Sequence, residues 1–266
     1  MPPAPGPAPS CVCAIPARYA STRLPGKPLQ RLAGKPMIEH VYERAASARG
    51  ISRVVVLTDD RRIGDVVQAF GGDFELTPVS CASGTDRIAW AARGWHDADA
   101  VVNVQGDEPL LDPDLVTMLA AHLESADDEM ATLAAPADAG DATDPAKVKV
   151  VTSLDGHALY FSRAPIPFSR DPSAAPMRRH VGLYGYRRAT LLRLAALPPS
   201  PLERSEGLEQ LRALEHGIRI RVLDCQHAGF GVDTPEDLAR ADTLLRAEAA
   251  KAAAHTQHPR RAHGST

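Results

Sequence analysis

The segment CVCAI (residues 11–15), followed at once by PARYASTRLPGK (residues 16–27), sets the architecture of the chain. The first part is a short apolar run, which is typical of a strand buried on both faces of a sheet. The second part is polar, contains Pro and Gly, and continues to about Lys35, so it predicts a long loop after that strand. Loops that leave the ends of buried strands commonly carry ligands, and this loop is therefore a candidate binding segment.

Strands and helices alternate beyond this loop. The predicted elements are a helix from Pro36 to Gly50, a strand Arg53–Thr58, a helix over 63–70, a strand Phe74–Leu76, a helix from Thr85 or Asp86, a strand 100–104 and a helix from Asp112-Pro113 to Ser125. This order predicts an α/β fold with a mostly parallel, Rossmann-like sheet covered by helices on both faces. Ligands of such sheets lie beyond the carboxyl ends of the strands, which here means the loops after Ile15, Thr58 and Val104.

The pattern changes beyond Met130. We predict strands over 148–152, 158–161, 181–186 and 218–223, helices over 188–195 and 206–216, and a last helix that opens at Thr234-Pro235. We expect one domain over 11–250, with a core of about 11–139 and 223–250 and a smaller mixed α/β insert of about 140–222 for a second substrate and a dimer contact. Residues 1–10 and 251–266 are predicted to be disordered.

Composition excludes several classes of function. The chain has 266 residues, 44% of them hydrophobic, and a net charge of −3, which gives no electrostatic case for nucleic acid or an anionic membrane as partner. We find neither an apolar run of about 18 residues nor a signal-peptide pattern, and we expect a cytoplasmic protein. The four cysteines lack Cys-x-x-Cys spacing and are expected to be buried thiols; they are Cys11, Cys13, Cys81 and Cys225.

The first candidate for chemistry is the basic loop, which holds Arg18, Arg23 and Lys27. One interpretation is a solvated, proline-stiffened loop. The other is a phosphate clamp, because guanidinium and ammonium groups suit phosphate oxygens and Gly26 allows close backbone approach. The loop lacks the G-x-x-x-x-G-K-[ST] spacing of a Walker loop.

Two acidic segments form the second candidate. Asp107 follows a buried strand in VNVQGDEP (102–109), and Asp233 lies in GVDTP (231–235). Each could simply flank a turn or a helix cap. Alternatively, two carboxylates from distant segments could hold one Mg²⁺ together with phosphate oxygens and water. Neighbouring residues of extended chain point in opposite directions, so Glu108 should not face the same ligand as Asp107.

These segments, in this order, resemble the Kdo (3-deoxy-manno-octulosonate) cytidylyltransferases. The matching stretches, spread over about 11–245, are 18–27, Ser83–Arg87, Asn103–Pro109, Ala158–Arg163, His180–Tyr186, 199–212 and 231–237. The resemblance implies a nucleotide-diphospho-sugar transferase fold, a homodimer, and transfer of CMP from CTP to the anomeric hydroxyl of Kdo for lipopolysaccharide biosynthesis, with release of pyrophosphate.

The resemblance also implies roles for individual residues. Lys27, Asp107 and Asp233 would be catalytic, the two aspartates as magnesium ligands. The residues implied for the nucleotide are Arg18, Arg23, Lys27, Gly84, Arg87 and Gln105. Those implied for the sugar acid are Gln105, Arg163, His180, Tyr184, Glu209 and Gln210. Strand spacing puts His180, Gly182, Tyr184 and Tyr186 on one face. Glu209 and Gln210 are neighbours on a predicted helix, so at most one should make a central contact.

Three alternatives stay open or are weakened by the sequence. A synthetase for another sugar acid, such as 8-amino-Kdo or sialic acid, fits the same motifs. A non-catalytic nucleotide-binding module is the second alternative, and the retention of both acidic positions and of the whole cationic loop argues against it. A nicotinamide-dependent dehydrogenase does not fit, because G-x-G-x-x-G is missing after Ile15. Ser80-Cys81-Ala82 departs from the more polar stretch that the family has at these positions. Of all the contacts that the resemblance implies, those between this loop and the nucleotide therefore have the least support. Ser169 and Arg170 receive no role.

Overall fold

The computed structural model describes residues 10–20, 24–171 and 177–256. In chain order, the strands of these ranges are β1 (Cys11–Ala17), β2 (Arg31–Leu32), β3 (Lys35–Pro36), β4 (Arg53–Thr58), β5 (Phe74–Leu76), β6 (Ala100–Asn103), β7 (Met130–Pro136), β8 (Lys149–Thr152), β9 (Ala158–Ser162), β10 (Arg178–Arg187) and β11 (Arg221–Asp224). Their helices are α1 (Met37–Ala46), α2 (Arg61–Ala69), α3 (Gly84–Ala92), α4 (Pro113–Ser125), α5 (Ala139–Thr143), α6 (Arg188–Ala196), α7 (Pro201–Glu206), α8 (Gln210–Glu215) and α9 (Pro235–Thr256).

The main sheet has the strand order β11-β7-β10-β6-β1-β4-β5, and β8 and β9 extend it from β10. β1 pairs in parallel with β4 and β6, and β7 pairs in parallel with β11. β10 is antiparallel to both β6 and β7. The carboxyl ends of the parallel strands and the beginning of β10 therefore meet at one edge, which we call the functional edge.

Apolar side chains cover both faces of this sheet. Along β1, Cys13 and Ile15 pack into one core cluster, whereas Val12 and Ala14 pack into another on the opposite face. A third, smaller cluster lies under α9 and includes Val232. Burial on both faces is what the uninterrupted apolar run of β1 predicted, and the predicted fold class is confirmed.

In the first half of the chain the predicted elements form with small shifts at their ends. Pro36 belongs to β3 rather than to the helix, and α1 ends at Ala46, before Gly50. α3 begins at Gly84 because Ser83 forms a capping box, whereas we predicted Thr85 or Asp86. Asp112 caps α4 as predicted.

The second half differs more from the predictions. β7 and α5 were not predicted. The helix predicted over 206–216 is two helices, because Gly207 adopts a left-handed conformation at φ 62° and ends α7. α9 continues to Thr256, past the predicted start of the tail at 251, and the disorder of that tail stays a prediction. The remainder of that tail and most of the leader lie outside the described residues.

The predicted division into a core and an insert stays a prediction, but β10, from within 140–222, lies inside the central sheet. None of the helices in the described ranges has both the length and the apolar composition that crossing a bilayer requires.

Candidate active site

A lysine and two aspartates from three distant segments meet at the functional edge. Gly26, at φ 64°, turns the chain into a short 3-10 helix that begins at Lys27. The Lys27 ammonium donates to Asp107 Oδ2 at 2.5 Å, to Asp233 Oδ1 at 3.1 Å and to the Val232 carbonyl at 2.9 Å. The three residues predicted to be catalytic are thus brought together.

The charge state of this centre follows from its partners. Burial by itself would lower the pKa of Lys27, but the carboxylates of Asp107 and Asp233 outweigh it and raise the pKa above the usual value. The Lys27 side chain is 15% exposed, whereas those of Asp107 and Asp233 are 32% and 50% exposed. The ammonium is therefore permanently charged at neutral pH, and both carboxylates remain open to solvent and ligands.

A cavity of about 240 Å³ lies beside Lys27, with Arg18, Gly84 and Gln105 in its wall. Arg18 donates to the Cys81 carbonyl at 2.9 Å, which links the basic loop to the segment where the sequence departs from the family pattern. Gly106 also lines this cavity, and a Cβ there would come within 2.9 Å of a backbone carbonyl. Arg23, which was predicted to bind the nucleotide, lies outside the described residues.

Arg87 is not brought to the cavities described in this structure. It is fully buried, and its guanidinium contacts Asp59 at 2.7 Å and the Thr77 hydroxyl. Arg87 therefore fastens the segments that follow β4 and β5, and the prediction that it lines the nucleotide site is corrected. Because α3 already begins at Gly84, Arg87 falls on the helix face that packs against the sheet.

A larger cavity of about 450 Å³ adjoins the first, and Gly84 and Gln105 line both. Its wall contains every residue predicted for the sugar acid, namely Gln105, Arg163, His180, Tyr184, Glu209 and Gln210. Gln210 is buried and Glu209 is exposed, yet both line the cavity because the chain turns between α7 and α8. Both residues therefore line the cavity, and the expectation that at most one of them makes a central contact stays a prediction.

His180 begins an aromatic row along β10. Its ring lies 5.3 Å from that of Tyr184, which lies 5.9 Å from that of Tyr186. His180 Nε2 is 2.9 Å from the Thr132 hydroxyl, and burial lowers its pKa to about 3. The imidazole is therefore neutral at neutral pH and can exchange hydrogen bonds with hydroxyl groups.

Two cations shape one side of the larger cavity. We call this side, which contains Arg163 and residues 207–210, the acceptor wall. Arg163 donates to the carbonyls of Glu206, Pro145 and Gly207 at 2.8, 2.9 and 3.3 Å. Each guanidinium nitrogen thus holds backbone, so Arg163 builds the cavity wall as well as lining it.

Lys149 lies behind this wall and is fully buried. Its ammonium donates to the carbonyls of Asp144, Lys147 and Arg163 at 3.0, 2.6 and 2.7 Å. Burial lowers its pKa. Lys149 was not predicted as a site residue, although a lysine inside the apolar run VKVV is itself a signal of a buried charge with fixed partners.

Asn103 and Tyr186 also line the larger cavity. Neither was assigned a role from the sequence, although strand spacing put Tyr186 on the same face as His180 and Tyr184. Asn103 is 3% exposed, and its Oδ1 has no hydrogen-bond partner within the part of the chain that the structure describes. The signal was an amide at the end of the apolar strand AVVN. Glu108 lines neither of these two cavities. Burial, and next the charge of Asp107, raise the pKa of Glu108 to about 7.

Comparison with known proteins agrees with this geometry. A family model described as cytidylyltransferase matches residues 12–220. The 3-deoxy-manno-octulosonate cytidylyltransferase of Myxococcus xanthus is 51% identical over 238 residues, which cover 89% of this chain and 96% of the relative. The protein of the same name from Syntrophotalea carbinolica is 52% identical over 248 residues, covering 89% and 99%. This chain belongs to the Kdo cytidylyltransferase family.

Solved structures agree with this membership. A structure described as CMP:2-keto-3-deoxy-manno-octonic acid synthetase complexed with CTP has a TM-score of 0.86 at 44% identity, covering 90% of this chain and 99% of that one. A 4-diphosphocytidyl-2C-methyl-D-erythritol synthase from Anaerococcus prevotii has a TM-score of 0.60 at 12% identity, a likeness of fold alone. This Kdo cytidylyltransferase family member is therefore an enzyme of the nucleotidyltransferase class.

Proposed function

We propose that this protein transfers CMP from CTP to the anomeric hydroxyl of Kdo and releases pyrophosphate. The observation that carries the proposal is the convergence of Lys27, Asp107 and Asp233 beside the smaller cavity, which has cationic side chains and adjoins a larger cavity lined by both polar and apolar groups. Family membership and the CTP named with the related structure support the same reaction.

Charge determines what the smaller cavity must supply. CTP brings about four negative charges and the sugar acid one, and like charges about 4 Å apart repel by about 4 kcal/mol at an effective dielectric of about 20. Lys27 and Arg18 offset part of this repulsion, and Arg23 is proposed to add to it. Positioning and charge neutralisation then carry the reaction, with no covalent enzyme intermediate.

The donor set at this centre fits Mg²⁺. Asp107 and Asp233 are partly exposed and are held near one ammonium, which keeps them close despite their mutual repulsion. Among the described residues, no set of three or more His, Cys, Asp or Glu side chains is arranged for a metal ion, so substrate oxygens and water would complete the coordination. Bound Mg²⁺ would neutralise phosphate charge and lower the pKa of the attacking hydroxyl.

The larger cavity is proposed to orient the acceptor. Gln105 lines both cavities, so it can contact the acceptor where this molecule meets the nucleotide. The neutral imidazole of His180 and the hydroxyl of Tyr184 suit sugar hydroxyls, and Gln210 adds a buried amide. These groups bring the anomeric hydroxyl to the α-phosphorus, which raises the rate by fixing its approach.

We further propose a homodimer, a cytoplasmic reaction and a product used for lipopolysaccharide. Exposed apolar side chains at Leu159 and Phe168 support a contact between copies. Light scattering on the full chain tests it, and a monomer at micromolar concentration would contradict it.

The decisive assay is pyrophosphate release from CTP, measured with and without Kdo and with and without Mg²⁺. We expect release only when all components are present. Binding of CTP in calorimetry without release would instead indicate a nucleotide-binding module. Faster turnover of 8-amino-Kdo or sialic acid in the same assay would favour a synthetase for another sugar acid.

A further inference from the structure

Glu108 lies in an environment that the proposed reaction does not explain. Its side chain is buried at 9% exposure, and no hydrogen-bond donor reaches Oε2 among the residues that the structure describes. An acceptor buried without a donor is unfavourable, and a fold that retains one commonly reserves it for water or a ligand. Glu108 lines a third cavity of about 250 Å³, so a donor could reach it from there.

The third cavity adjoins the proposed acceptor site. Val148, His180 and Gly182 line both the third cavity and the larger one, so the two share the beginning of β10 as a common wall. A Cβ on Gly182 would meet nothing within 4 Å, which leaves open space at this wall. Asp233, a partner of Lys27, also lines the third cavity.

The chemistry of the lining is mixed rather than purely anionic or cationic. Lys147 and Arg179 line the cavity together with Glu108, and both are partly exposed. Arg179 Nη1 also lies 3.4 Å from Asp141 Oδ1, and this negative group partly offsets the positive potential that the guanidinium gives to the cavity. Hydroxyl groups both donate and accept hydrogen bonds, so a lining that contains both the carboxyl groups of Glu108 and Asp233 and the cations Lys147 and Arg179 matches a polyhydroxylated chain better than it matches a simple anion.

The glycine-rich segment before α9 makes room for the carboxyl group. A Cβ on Gly229 would lie 2.8 Å from Glu108 Oε2 and 3.3 Å from its carboxyl carbon. Any larger residue at this position would push the carboxyl out of its place. The backbone is therefore compatible with Glu108 at the cavity wall only because position 229 has no side chain.

We propose that the third cavity is a subsite for the hydroxyl-bearing end of the acceptor, the end remote from its reacting carbon. Glu108 Oε2 accepts a hydrogen bond from one hydroxyl, and Lys147 donates to a neighbouring oxygen. The proposal rests on the proposed function. It makes Glu108 a residue that selects acceptors by the length and hydroxylation of their chain.

The test compares two acceptors in wild type and variants. One is Kdo, and the other is an analogue shortened by its two terminal hydroxylated carbons. We measure kcat/KM for each acceptor at saturating CTP with Mg²⁺. Wild type should prefer Kdo by about tenfold or more, since each hydrogen bond to a charged group is worth about that factor. Glu108→Met should reduce this preference about tenfold, whereas Glu108→Gln, which keeps an acceptor, should reduce it less.

Lys147→Met provides a second route if Glu108→Met fails to fold, and it should lower the preference about tenfold, because one hydrogen bond to a charged group is lost. Lys35→Met is the matched control, since Lys35 is a surface lysine paired with Glu43; it should leave the preference unchanged. An undiminished preference in Glu108→Met or Lys147→Met, or an equal loss for both acceptors, overturns the subsite. Absence of CMP transfer by wild type overturns the proposed function itself.

Discussion

Lys27 and Lys149 represent two regions in which a positive charge is withdrawn from water in different ways. At the functional edge, Lys27 faces two carboxylates, which outweigh the effect of its burial and raise its pKa. Behind the acceptor wall, Lys149 faces three backbone carbonyls, and burial lowers its pKa. The first lysine belongs to a cluster of charges, and the second belongs to the main-chain framework.

This difference in partners implies different roles: the groups around Lys27 can bind a ligand, whereas the groups around Lys149 fix the shape of the backbone. The carboxylates around Lys27 are partly exposed side chains, so they can rotate and take other partners when a charged ligand arrives. The carbonyls around Lys149 belong to the loop 144–147 and to Arg163, and they cannot leave without moving that backbone. Substitutions at the edge should therefore affect catalysis, whereas substitutions behind the wall should affect stability.

Asp107→Ala should give the largest effect on kcat/KM, and it tests the comparison at the functional edge. Because it removes a proposed metal ligand and a partner of Lys27, we expect a loss of about a thousandfold in kcat/KM. The melting temperature should change by only a few degrees, since the site is partly exposed. Steady-state kinetics and calorimetry check both, with the exposed Asp114→Ala as control. Near-normal CMP transfer would remove the role we give to Asp107.

Lys149→Met should give the largest loss of stability. It leaves three buried carbonyls without their donor, which we expect to lower the free energy of unfolding by about 2–4 kcal/mol. Urea unfolding measures this loss, with Lys27→Met as the matched substitution at the edge. A Lys27→Met variant that is destabilised as much as Lys149→Met would break the comparison.

Lys27→Ala should weaken CTP binding and slow the chemistry, because it removes a cation from the smaller cavity. We expect KM for CTP to rise and kcat to fall, each by about tenfold. Initial rates over a range of CTP concentrations separate the two constants. Unchanged values of both would contradict the phosphate-binding role of this lysine.

Alkaline pH should give the smallest effect. The folded-state pKa of Lys149 lies below its ordinary value of 10.5, so the unfolded chain binds the proton more tightly. The cost of burying this charge is present below the folded-state pKa and is relieved as pH rises from there to about 10.5. The stability of wild type minus that of Lys149→Met should therefore increase over this window. A decrease in urea titrations at pH 8 and pH 10.5 would contradict the lowered pKa.

Local signals explain what could be predicted from the sequence. The apolar run of β1 and the cap residue Asp112 each act on their immediate neighbours, and both elements form as expected. The positions of Arg87 and Lys149 depend on contacts with residues far away in the chain, as does the turn that brings both Glu209 and Gln210 to one cavity. Periodicity carries no information on such contacts, so these features could be found only in three dimensions.

The reversed direction of β10 has a consequence for how the two substrates are held. The parallel strands reach the functional edge with their last residues, but β10 starts there, so His180 comes early in its strand. The proposed nucleotide site is thus built at the carboxyl ends of parallel strands, whereas part of the proposed acceptor site is built at the amino end of β10. Lengthening or shortening the segment before β10 would therefore move the part of the proposed acceptor site that β10 carries, while the proposed nucleotide site kept its position.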